Sequence, residues 1–275
     1  MENILKNEKN KTIGIFDSGL GGLTAVKSIK NLLPNEDIIY FGDTGRTPYG
    51  TKSEKAIVSY ANQDINFLKS KNVKMIVSAC GTVSSHINKL ENPELVTGVI
   101  EPSCQTAVKL TKNYKIGVIG TTATIKSEAY KNVLKRICPK AKIIDQDCPM
   151  LASLIENGFI DKSSEILLKT IKIYMKKFIE EKVDTLILGC THYPIVKDVI
   201  NDALSGHVNL INSGEETAKF IKKYLGEKNM LSEKNSPGVY SFFVSDKLND
   251  FSERAKMFLG YDIQNHTQII DINEY

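Results

Sequence analysis

Two apolar runs that each stop dead at a cysteine constrain this chain most. Thr185-Leu186-Ile187-Leu188-Gly189-Cys190-Thr191-His192-Tyr193-Pro194 is of strand length up to Gly189, then turns polar, and Pro194 stands where a helix can begin. The earlier stretch Lys74-Met75-Ile76-Val77-Ser78-Ala79-Cys80-Gly81-Thr82 repeats the pattern. A thiol at the carboxyl end of a buried strand lies where open α/β sheets receive their ligands. Two such ends suggest two thiols facing one another across a cleft.

The rest of the chain alternates strands with helices, which argues for parallel sheets covered on both faces. Residues 12–16 form a short apolar strand that runs into Asp17-Ser18-Gly19-Leu20-Gly21-Gly22, and Leu23, Val26, Ile29 and Leu33 then recur at helical spacing. A helix opened in this way can receive an anion. The loop lacks the G-x-G-x-x-G pattern and carries an acid, which favours a carboxylate over a dinucleotide. A second strand over 37–41 leads to the punctuated loop Gly42-Asp43-Thr44-Gly45-Arg46-Thr47-Pro48-Tyr49-Gly50. Ser53 then caps a helix whose inward stripe is Ile57, Tyr60, Ala61, Ile65 and Leu68. Further helices are expected over 82–90, 124–137, 149–157, 163–182, from 195, and through 224. Further strands are expected over 96–100, 141–144, 208–211 and, as a sheet edge, 239–244. Ile13-Gly14 recurs at Ile116-Gly117 and Cys80 at Cys190, in the same order and at a similar spacing, so the halves read as a duplication.

Composition sets the outer bounds. With 41% hydrophobic and 25% charged residues the chain is an ordinary globular one. Its 36 basic and 32 acidic residues are interspersed, so nucleic-acid binding is not indicated. No apolar run approaches membrane-spanning length, and residues 1–12 lack the apolar centre of a signal peptide and read as a loose lead-in, so the chain is expected in the cytoplasm. The five cysteines, Cys80, Cys104, Cys138, Cys148 and Cys190, are odd in number and have no C-x-x-C spacing. They suggest neither a disulfide framework nor a metal site. Cys104, Cys138 and Cys148 are expected to be small buried hydrophobes.

A thiolate is a base and a thiol an acid, and helix N-termini and cations make the thiolate more accessible. Two thiols on opposite sides of a stereocentre can remove a proton from one face and supply one to the other, which racemises an amino acid without a cofactor. One thiolate and one thiol are needed together, so a bell-shaped pH dependence follows.

At this point the chain resembles the glutamate racemases of the cofactor-independent two-cysteine aspartate/glutamate racemase superfamily, over nearly its whole length. The resemblance is carried by Phe16-Asp17-Ser18-Gly19 with Gly21-Gly22-Leu23-Thr24, by Tyr40-Phe41-Gly42-Asp43-Thr44, by Pro48-Tyr49-Gly50, by Ala79-Cys80 with Thr82, and by Gly189-Cys190-Thr191-His192-Tyr193-Pro194. It implies two pseudo-symmetric three-layer α/β domains with mainly parallel sheets and the active site in the cleft between them. The expected division is 1–100 plus 210–275 for the Cys80 side and 101–209 for the Cys190 side. It further implies D- and L-glutamate as substrate, D-glutamate supply for peptidoglycan, a homodimer, and no metal or cofactor. Cys80 becomes the base toward D-glutamate and Cys190 toward L-glutamate. Asp17, His192 and Glu156 support the thiols. Asp17, Ser18, Pro48, Tyr49, Gly50, Gly81, Thr82, Thr121, Thr191 and His192 hold the substrate.

The residues also have plainer readings. Asp17 can cap the following helix, Tyr49 can simply pack, and Glu156 can be solvated on its helix. One departure bears on the site: where the family usually has asparagine after the first cysteine, this chain has Gly81. Loss of that amide implies that backbone N–H groups and a water take its place, with some loss of rate or specificity. A second departure, Asn212 where aspartate is usual, is not at an implied catalytic position. The alternatives in view are a racemase for aspartate or several acidic amino acids, a racemase-like binding or regulatory protein without turnover, and, more remotely, a thiol redox protein.

Overall fold

The computed structural model describes residues 9–246 and 248–275, so the lead-in expected over 1–12 falls mostly on residues outside the described ones. In chain order the strands are β1 (Ile13–Asp17), β2 (Ile38–Gly42), β3 (Met75–Ser78), β4 (Val96–Gly98), β5 (Lys115–Gly120), β6 (Lys142–Asp147), β7 (Thr185–Leu188), β8 (Asn209–Asn212), β9 (Tyr240–Val244) and β10 (Thr267–Ile269). The helices are α1 (Leu23–Leu32), α2 (Glu54–Ser70), α3 (Gly81–Ser84), α4 (Ile100–Leu110), α5 (Thr122–Lys126), α6 (Ala129–Ile137), α7 (Leu151–Glu156), α8 (Glu165–Glu180), α9 (Lys197–Ala203), α10 (Ser213–Glu227) and α11 (Leu248–Leu259).

Two parallel sheets result, with strand orders β10-β9-β2-β1-β3-β4 and β6-β5-β7-β8. The segments β2-β1-β3-β4 and β6-β5-β7-β8 have the same topology, so the duplication read in the sequence is present in the fold. In each half the first strand has its second and third strands on opposite sides, which opens a crevice at the carboxyl ends of β1 and β3 and of β5 and β7. Alternate residues on the strands feed different layers. Ile13 and Ile15 pack with Leu23, Val26 and Ile29 of α1, while Phe16 packs with Ile57, Ala61, Ile65 and Leu68 of α2. In the second half Ile116 and Val118 join Cys104 of α4 and Leu134 of α6, while Ile119 joins Leu167, Ile171 and Phe178 of α8. Each sheet is thus the middle of three layers, and β1, β3 and β7 are buried at every residue because both faces are covered.

Several local expectations are corrected. The strand over 239–244 is not an edge: β9 pairs with β2 on one side and β10 on the other. Its weak alternation reflects burial on two faces. The helix expected over 82–90 ends at Ser84, whose hydroxyl donates to the Ser78 carbonyl (3.1 Å) and accepts from the Val99 amide (3.2 Å), folding the turn back onto the sheet. The strand over 96–100 stops at Gly98 because α4 has already begun, with Pro102 in its first turn where a missing N–H costs nothing. The helix over 124–137 is two, broken where Glu128 takes φ of 55°. Residues 209–212 pair with β7 and so lie in the second sheet, just past the division expected at 209/210. Ser53 and Ser164 cap α2 and α8 by accepting from Ala56 and Leu167.

Candidate active site

Cys80 follows β3 at the start of α3, and Cys190 follows β7 one residue after Gly189. Each therefore sits at the crevice of its own sheet, and each is buried, at 5% and 7% exposure. They are near enough that charge on Cys190 disfavours charge on Cys80. All five cysteines are free thiols; Cys104, Cys138 and Cys148 are buried as expected.

The loops from the two sheets meet directly. Thr82 and Thr121 share a hydrogen bond between hydroxyls at 2.9 Å, and the Thr24 hydroxyl lies 2.9 Å from the Thr191 carbonyl. A Cβ built on Gly81 stands 2.3 Å from the Gly189 carbonyl oxygen, so the main chains beside the two thiols are in contact. The contact adds a steric feature at Gly81 to the loss of the amide. In this arrangement a side chain there has no room.

The two thiols have different surroundings. Cys190 Sγ lies 3.6 Å from His192 Nδ1, and His192 Nε2 lies 2.7 Å from Glu156 Oε1. Burial opposes a charged imidazole, yet the hydrogen bonds and charges of Cys190 and Glu156 outweigh it and hold His192 well above its ordinary value. Burial likewise works against the Glu156 carboxylate, but His192, with a contribution from Arg254, keeps it below the usual range. The Phe258 ring meets the imidazole edge-on at 5.8 Å and fixes its plane. Glu156 is therefore a member of the cluster rather than a solvated helix residue.

The polar neighbours of Cys80 are the carboxylate of Asp17, the Val83 amide and the Ser18 hydroxyl, at 3.8 Å. Burial and that negative neighbour push the Cys80 thiol up to about 12. Burial also raises Asp17, against the pull of His192 and two backbone amides. Its Oδ2 accepts from the Gly19 amide at 3.0 Å, whereas Oδ1, fully buried, has no hydrogen-bond partner among the described residues. Buried carboxylate oxygens in that condition are costly unless a ligand satisfies them.

Ser18, Gly50, Thr82, Thr121 and Thr191 border the same cleft from both halves. Pro48 and Tyr49 do so only through the main chain. Pro48 is exposed, and the Tyr49 ring is buried with its hydroxyl against Asp43 and Asp64, away from the thiols. Residues missed in the sequence are Thr24, Thr124, Phe258 and Arg254. Thr124 adds a third hydroxyl to Thr82 and Thr121, 2.9 Å from Thr121. Arg254 borders, with Glu156, Gly19 and Thr47, a cavity of about 160 Å³. Phe258 and Arg254 belong to α11, for which the sequence reading had no helix.

Comparison with known proteins now bears on the site. A sequence model of the Asp/Glu/Hydantoin racemases matches residues 25–221. The chain belongs to this racemase family. Glutamate racemase 3 of Caldanaerobacter subterraneus is 42% identical over 265 residues, covering 96% of each chain. Among solved structures, glutamate racemase isoform RacE1 from Bacillus anthracis superposes with a TM-score of 0.91 at 36% identity, covering 96% of this chain and 98% of that one. Glutamate racemase from Francisella tularensis, in complex with D-glutamate, gives 0.90 at 37%, covering 97% and 100%. The racemase fold is thus matched along almost the whole chain. Among the described residues no helix is long and apolar enough to cross a membrane.

Proposed function

We propose that this protein interconverts L- and D-glutamate by proton transfer between two thiols, and so supplies D-glutamate for peptidoglycan. The carrying observation is the pairing itself: Cys80 and Cys190 end equivalent strands of two duplicated sheets and face one cleft with different proton partners. We assign Cys190, whose sulfur lies 3.6 Å from the His192 imidazole, as the base toward L-glutamate, and Cys80, pushed up to about 12, as the thiol that supplies the second proton. For L-glutamate, Cys190 removes the α-proton from one face while Cys80 delivers its own proton to the other. The product is D-glutamate with Cys80 left as thiolate and Cys190 as thiol; the reverse reaction retraces these transfers.

Asp17 Oδ1 receives the substrate ammonium in this reading. The ammonium offsets the carboxylate's effect on Cys80, which makes the Cys80 thiolate accessible when D-glutamate is bound. Hydroxyls of Ser18, Thr82, Thr121 and Thr191, with main-chain N–H groups near Gly50 and Gly81, hold the two substrate carboxylates. The two domains are taken as the first sheet with its helices and the second sheet through β8. A homodimer in the cytoplasm follows from the same family reading, and light scattering of the purified protein checks the dimer.

The test is proton NMR in heavy water with D- and L-glutamate in separate samples. Loss of the α-proton signal with inversion supports racemisation. Glutamate that binds without washout indicates a binding protein, and washout from aspartate but not glutamate indicates the other acidic substrate.

A further inference from the structure

Tyr40 stands in the middle of β2, fully buried in the layer between the first sheet and α1. Packing there needs only a ring, and Phe242 of β9 and Phe251 of α11 supply rings beside it, at 6.2 and 6.3 Å between centroids. A buried phenol must in addition find a hydrogen-bond partner for its hydroxyl. That partner is the Gly19 carbonyl, at 2.6 Å, and among the described residues no other donor reaches the Gly19 oxygen. Burial, then the charges of Asp17, Cys80 and Glu156, push the Tyr40 phenol well above its ordinary value, so it stays protonated and a donor. The loop 17–22 is folded closely over this hydroxyl. A Cβ built on Gly22 stands 2.9 Å from it and 2.5 Å from the Asp17 Cβ. Gly19 and Gly22 are also the two residues whose amides favour the Asp17 carboxylate, Gly19 donating to Oδ2 at 3.0 Å. The same two glycines therefore lie between the phenol and the carboxylate.

We infer that Tyr40 is a positioning residue for Asp17: by fixing the turn from Gly19 to Gly22, its hydroxyl sets where the carboxylate stands in the cleft, and so how the substrate's α-ammonium is recognised. This rests on the reading above, in which the unpartnered Asp17 Oδ1 receives that ammonium. Without the hydroxyl, the buried Gly19 carbonyl loses its donor, and leaving such a group unpaired is costly enough to turn the peptide. The Gly19 amide then leaves Oδ2, and the carboxylate loses the direction that a charged hydrogen bond requires. Of the hydroxyls assigned to the two substrate carboxylates, only that of Ser18 shares this loop; Thr82, Thr121 and Thr191 belong to others. Loss of preference for a ligand that carries the ammonium is therefore the signature of Tyr40.

The experiment compares full-length Tyr40→Phe with wild type. Calorimetry gives Kd for racemic glutamate and for glutarate, the same dicarboxylate without the ammonium, and turnover gives kcat and KM for each enantiomer. In Tyr40→Phe, Kd for glutamate and both KM values are expected to rise roughly tenfold, as for one lost hydrogen bond behind a charged contact. Kd for glutarate changes less than about twofold, and kcat less than about threefold, since the loss is one of binding. Combined with Asp17→Asn, Tyr40→Phe adds less than about twofold, because the two residues act through one contact. Gly22→Ala strikes the same contact from the side of the loop and is expected to give the same selective loss; it decides the matter if Tyr40→Phe does not fold. Equal weakening of glutamate and glutarate overturns the inference, since it reports a generally loosened cleft. So does an unchanged preference for glutamate, or full additivity with Asp17→Asn. Wild-type protein that binds glutamate without turning it over defeats the proposed reaction alone, and the binding measurements still read Tyr40. Wild-type protein that does not bind glutamate defeats both.

Discussion

Cys80 and Cys190 hold matching positions in the duplicated halves, yet one faces an imidazole and the other a carboxylate. Replacing either thiol therefore leaves a specific half-reaction. Cys80→Ser retains the base for L-glutamate, so the L α-proton exchanges with solvent deuterium without inversion; Cys190→Ser does the same for D-glutamate only. Racemisation falls by about 10³-fold or more in both, within the range for loss of a general acid or base. Exchange of both enantiomers by one variant would sink the assignment of faces. The His192–Glu156 pair gives a second test. Glu156 helps hold His192 above its ordinary value, so in Glu156→Gln the imidazolium is lost at lower pH. The alkaline limb of kcat/KM moves down in pH, while an unmoved limb means that His192 does not act as a cation beside Cys190. These residues were legible in the sequence because each belongs to a short contiguous run, strand then cysteine then polar loop. Arg254 and Phe258 were not, since they reach the cluster from a helix far along the chain.

The loop 42–50 shows how an element can serve the cleft with its side chains turned away. Arg46 donates from Nε to Asp43 at 2.5 Å and from Nη2 to Asp64 at 3.2 Å, and the Tyr49 hydroxyl joins both carboxylates. Burial, then the Asp43 charge, drives Asp64 well above the usual carboxylate range, so the network is closely balanced. It pins Tyr49 inward and leaves the backbone at Gly50 against Thr121. Tyr49→Phe is expected to cost about 1–3 kcal/mol of stability in chemical denaturation, because it strips a partner from buried carboxylates, with kcat altered less than about threefold. Arg46→Met leaves those carboxylates without their cation and costs about 3–5 kcal/mol. A Tyr49→Phe enzyme of full stability whose kcat/KM is down a hundredfold would put the hydroxyl on the substrate after all. Punctuation alone reads 42–50 as a surface loop, yet Asp43, Thr44 and Tyr49 are buried; the orientation of Tyr49 depends on Asp64, a residue of α2 that no local pattern links to it. The same limit hid β10. Three residues long, it gains strand character only from pairing with β9, itself returned from beyond the second sheet.

At the scale of the molecule the halves are not independent. One apolar cluster runs from Ile13, Ile15 and Val26 of the first half to Ile171, Phe178 and Leu188 of the second, with Ala218 and Ile221 of α10 between. Helix α10 continues from the last strand of the second sheet yet packs on α1, where Gly214 lies against Ala25. Burial of that kind cannot be lost from one half without exposing the other, at about 25 cal/mol for each Å² of apolar surface. Calorimetry of the unliganded protein is therefore expected to give one unfolding transition, with probes in both halves coincident. Glutamate, touching loops from both halves, raises it as one unit. A ligand at a hundred times its Kd adds about 2.7 kcal/mol, which for a chain of this size is a rise of roughly 5–10 °C. Two resolved transitions, only one of them moved by glutamate, would mean that the cleft joins separate domains and that the shared cluster contributes little. A single transition that glutamate moves in wild type but hardly in Asp17→Asn would tie ligand binding by the whole molecule to the buried Asp17 oxygen, as the proposed ammonium contact requires.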